Sequence, residues 1–257
     1  MTPQTLILRT AGTNCDGELA NAFELAGAPA TVVHLNDLID HPSRLEEFDL
    51  IGFAGGFSYG DDIAAGRIFA NRLKHRLYEP LLAAIDRGVP MFGTCNGFQI
   101  LAKLGLLPDP HAGVQEVTLA DNASGRYIDR WTPMQVVADS KCIWTKGLED
   151  HDLPMAHAEG RFTAPDEVLD RIEANGQVAL RYKDNPNGSA RDIAGICDPT
   201  GLVFGLMPHP ERFQHPTNHP QWTRMGEDFL TQTPIGLQYF HNAVVYVKDK
   251  QAAAVGG

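Results

Sequence analysis

Apolar residues change their spacing several times along the chain, and each change marks an element. Residues 5–9 and the β-branched stretch 30–35 predict strands. Between them Leu19, Ala22, Phe23 and Ala26 recur at helical spacing over 18–27, with Gly27 as the stop. A strand over 49–53 runs out into Gly55-Gly56. Over 67–87, Leu73, Leu77, Leu81 and Ile85 fall on one helical face; Pro80 is expected to kink or divide this segment, and Gly88 to close it. Residues 89–93 predict a strand that passes straight into a helix over 96–106. Such alternation implies a parallel sheet with helices on both faces. The second half is strand-rich, with runs at 115–119, 134–138, 178–182, 193–197 and 202–206. Asp198-Pro199-Thr200-Gly201 predicts a hairpin turn between the last two. A closing helix is expected over 235–247, and a loose tail over 251–257.

Two strand ends carry chemistry. The strand at 89–93 ends in Gly93-Thr94-Cys95-Asn96-Gly97, the arrangement of a nucleophile elbow with sulfur in place of oxygen. A strand turning abruptly into a helix strains its corner residue, and flanking glycines leave room for the turn and for a substrate. The helix N-terminus favours negative charge, and so a thiolate. The alternative is a buried structural cysteine. The strand at 202–206 leads into Met207-Pro208-His209-Pro210-Glu211. Residues two apart in an extended segment project to one face. Glu211 can therefore accept one imidazole N–H of His209 while the other nitrogen faces a nucleophile, the logic of a Cys-His-Glu triad. Alone, such a His-Pro-Glu is a surface turn; beside a cysteine elbow it reads as a base and its orienter.

Those segments, Gly93-Thr94-Cys95-Asn96-Gly97-Phe98-Gln99-Ile100-Leu101 and Met207-Pro208-His209-Pro210-Glu211-Arg212, resemble the class I (triad) glutamine amidotransferases. Three more narrow the likeness: Gly55-Gly56-Phe57-Ser58-Tyr59-Gly60-Asp61, Asn185-Pro186-Asn187-Gly188-Ser189 and Gly12-Thr13-Asn14-Cys15-Asp16. Together they look like the glutaminase subunits of phosphoribosylformylglycinamidine synthase, over about residues 5 to 245. One departure is visible: His157-Ala158-Glu159-Gly160-Arg161 stands where the family usually has His-Gly-Glu-Gly-Arg, and alanine suits the position if its φ is negative.

The resemblance implies an α/β fold: a single class I glutamine amidotransferase-like domain over 1–250, with a central, mostly parallel sheet flanked by helices and a strand-rich C-terminal half. It also implies hydrolysis of L-glutamine to glutamate and ammonia. Cys95 is then the nucleophile, His209 the proton carrier and Glu211 its partner, with the N–H groups of Gly56 and Asn96 as oxyanion donors. Gln99, Gly55, Gly160 and Arg161 are expected at the substrate. No metal or other cofactor is expected in this chain. ATP and Mg²⁺ belong to a large synthetase subunit that receives the ammonia and acts on formylglycinamide ribonucleotide, commonly with a small bridging subunit. The glycine-rich segment 55–58 is a candidate switch, able to turn a peptide N–H when a partner docks. The competing readings are a Cys-His-Glu peptidase or γ-glutamyl hydrolase on the same scaffold, and an inert regulatory subunit.

Charge and cysteine usage fit this picture. Lys and Arg number 21 against 32 Asp and Glu, a formal charge of −11, which lacks the basic footprint of a nucleic-acid binder. No apolar run approaches the ~20 residues of a membrane span, and residues 1–10 lack the pattern of a signal peptide. Cys15, Cys95, Cys142 and Cys197 show no disulfide or metal spacing, so a cytoplasmic location is expected. Cys15, Cys142 and Cys197 read as buried apolar residues. His215 and His219 have ligand spacing, but Pro216 and Pro220 oppose the helix that would align them. Residues 55–60 lack the Lys-Ser/Thr of a phosphate loop. Arg161 and Arg191 are candidates to face an acidic substrate or a partner, with a solvated or ion-paired surface role as the default for either.

Overall fold

Neighbouring parallel strands in this molecule finish level with one another, and the candidate chemistry stands on the loops that leave them. The computed structural model describes residues 2–255. In chain order the first half contains β1 (Thr5–Arg9), α1 (Asp16–Leu25), β2 (Ala30–His34), α2 (Leu35–Asp40), β3 (Leu50–Phe53), α3 (Arg67–Arg76), α4 (Tyr78–Asp86), β4 (Met91–Thr94) and α5 (Asn96–Leu104). The second half contains β5 (Thr118–Asp121), β6 (Ile128–Val136), β7 (His151–His157), β8 (Glu159–Thr163), α6 (Asp166–Ala174), β9 (Val178–Tyr182), β10 (Ile193–Cys197), β11 (Val203–Leu206), α7 (Glu227–Thr231) and α8 (Ile235–Val255). Nine strands form one sheet in the order β2-β1-β3-β4-β11-β10-β9-β6-β7, and β5 pairs with β8 separately. From β2 to β11 the pairing is parallel; from β11 to β7 it is antiparallel.

Alternate residues of the parallel strands feed two cores. Leu6, Leu8, Ile51, Phe53, Met91 and Val203 pack on one face, under α3, α4, α5 and α6. Ile7, Leu50, Phe92, Phe204 and Leu206 pack on the other, with α1 and α8. Phe92 is the hub there: its ring lies 5.1 Å from Trp144, 5.2 Å from Phe240 and 5.8 Å from Phe204. Apolar area removed from water on both faces is the main term holding the layers together.

Several expectations change. The helical stretch 67–87 is two helices, but the break is at Leu77 (φ −129°), not at Pro80. Pro80 lies in the first turn of α4, where its missing N–H would have had no helical partner. The strand expected at 134–138 is the end of the longer β6, and the one at 115–119 is shifted to β5. β7, β8, α2 and α6 carried no clear signal. β7 contains Pro154, which a sheet tolerates at its edge, and β7 is an edge strand. The expected loose tail is corrected: α8 continues to Val255, and the Gln251 amide donates to Asp49 Oδ1 (3.1 Å). Gly256 and Gly257 lie outside the described residues.

Candidate active site

The elbow is built by close packing of α5 on the sheet. Cys95 takes φ 52°, ψ −109°, a conformation that L residues avoid. α5 begins immediately after it, so close to β3 that a methyl group on Gly97 would lie 1.9 Å from the Phe53 carbonyl oxygen. No side chain fits there. The Cys95 N–H donates to the Leu206 carbonyl (2.8 Å), tying the corner to β11. The sulfur lies 3.8 Å from the Ala156 carbonyl of β7.

Register brings the base to the nucleophile. Phe53 and Gly205 both pair with Gly93, so β3, β4 and β11 end side by side and the loops that follow them converge. His209 follows β11, and its N–H donates to the Pro154 carbonyl (2.7 Å). Its Nδ1 lies 2.7 Å from Glu211 Oε1, with both residues buried. Burial disfavours the imidazolium, but the negative charges of Glu211 and Cys95 outweigh it and hold the His209 pKa well above its ordinary value. Nδ1 therefore donates to the carboxylate. Nε2 has no hydrogen-bond partner among the described residues, which leaves it for the thiol or the substrate.

A cavity of about 120 Å³ opens here, lined by Cys95, His209, Gly56, Gln99, His157 and Glu159 among others. The N–H groups of Gly56 and Asn96 find no acceptor among the described residues. Gln99 is held at both ends: its Oε1 accepts from Asn96 Nδ2 (2.9 Å), and its Nε2 donates to the Glu159 carbonyl.

Gly55, Gly160 and Arg161, expected at the substrate, do not line this cavity. The Gly55 carbonyl is taken by the N–H groups of Asn14 and Cys15. Gly160 is a glycine because the His157 ring occupies its side-chain space, 2.2 Å from where a Cβ would stand. Arg161 donates through Nε to the Asp121 carbonyl (2.8 Å), outside the cavity. Ala158 does not take a positive φ, so alanine suits the position that the family usually gives to glycine.

Cys15 also departs from expectation. It is buried, as are Cys142 and Cys197, but it lines the cavity. A methyl on Gly55 would stand 3.0 Å from His209 Cε1 and 3.3 Å from the Cys15 sulfur. Cys15, His209 and Glu211 place possible ligand atoms within 4.8 Å of one another. Arg212 Nη2 donates to that sulfur at 3.1 Å, and its fixed positive charge opposes a metal ion at the same spot. His219 packs against Trp131, ring centroids 4.9 Å apart.

His157 supplies a pH signature. Asn122 Nδ2 donates to the carbonyls of His157 (2.8 Å) and Arg126 (2.9 Å), which leaves Asn122 Oδ1 to accept from His157 Nδ1 (3.1 Å). Burial, reinforced by the charge of His209, lowers the His157 pKa to about 3. The unfolded chain takes up this proton near pH ~6.5. Between those values the unfolded state binds one proton more than the folded state, so stability falls as the pH falls through that window. At ~1.4 kcal/mol per pH unit, the loss from pH 7 to pH 5 is about 2 kcal/mol. Urea unfolding of His157→Gln should lack this component, and parallel pH dependence in the two proteins would refute it.

The family model of the CobB/CobQ-like glutamine amidotransferase domain matches residues 2–247. A phosphoribosylformylglycinamidine synthase subunit PurQ from Dehalococcoides mccartyi is 44% identical over 253 residues, covering 96% of this chain and 98% of the relative. Another from Methanococcus maripaludis is 39% identical, covering 95% and 97%. Among solved structures, a chain of PurLQS from Thermotoga maritima matches with a TM-score of 0.73 and 31% identity, covering 96% of this chain and all (100%) of that one. A glutamine amidotransferase from Methylobacillus flagellatus, 15% identical with a TM-score of 0.57 and covering 97% of this chain and 95% of that one, shares the fold. With a cysteine elbow and a buried His-Glu pair at the ends of adjacent strands, and with relatives alike over nearly their whole length, the chain belongs to the CobB/CobQ-like glutamine amidotransferase family.

Proposed function

We propose that the chain is the glutaminase subunit of phosphoribosylformylglycinamidine synthase, and that Cys95, His209 and Glu211 carry its chemistry. The observation behind this is the convergence on one cavity of the strained Cys95 elbow, His209 with Glu211 buried behind it, and the Gly56 N–H, which has no acceptor among the described residues. Asn96 does not line the cavity but follows the nucleophile directly, and its N–H also has no acceptor among those residues. The Cys95 thiolate attacks the side-chain amide carbon of glutamine. The N–H groups of Gly56 and Asn96 stabilise the oxyanion; loss of one such donor costs ~10²–10³ in rate. His209 gives its proton to the leaving nitrogen, ammonia departs, and the neutral imidazole then activates the water that cleaves the glutamyl thioester. Glu211 keeps the ring oriented and stabilises its charged form. Gln99 acts by joining α5 to β8, since both ends of its amide are already engaged.

The ammonia passes to the large synthetase subunit, which uses ATP and Mg²⁺ on formylglycinamide ribonucleotide, with a small bridging subunit in the complex. The cytoplasm is the compartment for this chemistry. No helix among the described residues is long and apolar enough to cross a membrane. The test is to assay the chain with glutamine and with γ-glutamyl dipeptides, alone and with the synthetase subunits. Glutamine turnover should rise at least ~10-fold in the complex, as expected where partner binding gates a site, with little cleavage of the dipeptides. Cleavage of dipeptides without glutamine turnover would assign the site to a γ-glutamyl hydrolase instead.

A further inference from the structure

The turn Gly12-Thr13-Asn14-Cys15 takes no part in the steps above, yet it is bound tightly to the segment that supplies the first oxyanion donor. Three backbone hydrogen bonds join them: Phe57 N–H to the Gly12 carbonyl (2.9 Å), and the Asn14 and Cys15 N–H groups to the Gly55 carbonyl (3.4 and 3.2 Å). A fourth, from Tyr59 N–H to the Ala11 carbonyl (2.8 Å), lies just beside them. Thr13 and Gly56 stand opposite each other in an antiparallel bridge. The flanking bonds make this the non-hydrogen-bonded kind of pair, in which the N–H and C=O groups of both residues point away from the partner. The Gly56 N–H is therefore directed off the turn, and it has no acceptor among the described residues. The Gly55–Gly56 peptide is trans, so gripping its carbonyl on one side fixes its N–H on the other.

We propose that the 12–15 turn is a clamp that holds the Gly56 N–H in its oxyanion-binding orientation, with Gly12, Asn14 and Cys15 acting as positioning residues through their backbones. The inference rests on the glutaminase reading. Contact between the two segments is too close for side chains: a methyl on Gly12 (φ +86°) would stand 2.0 Å from the Phe57 carbonyl oxygen, and one on Gly56 (φ +139°) 2.7 Å from the Asn14 nitrogen. Asn96 holds the same segment from the other side, its Oδ1 accepting from the Ser58 N–H (3.3 Å). The two donor residues are thus linked to each other. The clamp also corrects the expectation that 55–58 is a free switch. Turning the Gly55–Gly56 peptide breaks both bonds to the Gly55 carbonyl and points an oxygen where the N–H is needed. Activation by a partner then acts on another part of the site.

The test compares Cys15→Pro with Cys15→Ala, each assembled with the synthetase subunits. Both lack the thiol, but only proline removes a clamping N–H. Cys15 precedes α1 with φ −99°, so proline, fixed at ~−65°, turns the backbone there while breaking no hydrogen bond of the helix. Glutamine kcat should be at least ~10-fold lower in Cys15→Pro than in Cys15→Ala. KM for glutamine should agree within ~3-fold, as expected when an interaction made in the transition state is lost. Alkylation of Cys95 by iodoacetamide, followed by mass spectrometry, should run at the same rate in both, because displacement at carbon forms no oxyanion. Gly12→Ala should show the same separation of kcat from alkylation and serves as a second variant if Cys15→Pro does not fold. Equal kcat values for the two Cys15 variants, or alkylation falling together with kcat, would overturn the clamp. Either result leaves the glutaminase reading standing while the wild-type complex turns over glutamine through Cys95. A wild-type complex without that turnover overturns both.

Discussion

Cys95→Ala is expected to abolish glutamine-dependent product formation while the synthetase continues to make product from added ammonia. Losing the nucleophile of a triad costs ~10⁴–10⁶ in turnover, because the remaining groups have nothing to act on. The change is small structurally: alanine keeps the Cβ, and the backbone at φ 52° is held by the Cys95 N–H bond to Leu206 and by the packing of α5 on Phe53. Thermal unfolding should therefore shift little. Glutamine should still bind, since the cavity walls at Gly56, Gln99 and Glu159 are untouched. The measurement is product formation by the complex with glutamine or with an ammonium salt as nitrogen source. Glutamine-driven synthesis at the wild-type rate would remove Cys95 from the mechanism. Loss of both routes would mean that the substitution disturbs the partner.

Much of the site was legible because its parts are local. An apolar strand, a glycine, a cysteine and a helix in immediate succession form the elbow. His209 and Glu211 do pair as expected, but across a 3₁₀ turn over Pro210–Arg212 and not along an extended segment, because Pro210 at the first position starts that turn. The strands at 5–9, 178–182 and 193–197 appear with the expected bounds because each is a short, mostly apolar run with few charged residues, Arg9 and Arg181. Nonlocal contacts were not legible. Arg212 meets the sulfur of Cys15 across 197 positions in the chain, a contact set by the order of strands in the sheet. Arg161 followed Gly160 in the motif, yet strand geometry turns it out of the cavity toward Asp121. β7 was hidden by Pro154 and its polar residues, although it carries the carbonyl that anchors His209. Alternation of apolar and polar residues reports burial, and an edge strand gives only a weak signal of that kind.

The His209–Glu211 pair should fail in two distinguishable ways. His209→Ala removes the proton carrier, and its loss should approach that of Cys95→Ala, ~10⁴–10⁶ in turnover. Glu211→Gln should cost less. The amide oxygen can keep the hydrogen bond that Oε1 now accepts from Nδ1 at 2.7 Å, while its NH₂ takes the place of Oε2, which has no partner among the described residues. What it loses is charge. Against the cost of burial, the Glu211 carboxylate helps hold His209 protonated above its ordinary range, so replacing it lowers the pKa of the imidazolium. An imidazolium is active until it loses its proton, and the alkaline limb of the pH–rate profile should therefore move to lower pH in Glu211→Gln. An orienting role without charge stabilisation would leave that limb in place. Because Cys95 and His209 serve the same step, the double substitution Cys95→Ala/His209→Ala should be scarcely slower than either single one. Additive losses would assign the two residues to separate steps and dissolve the triad.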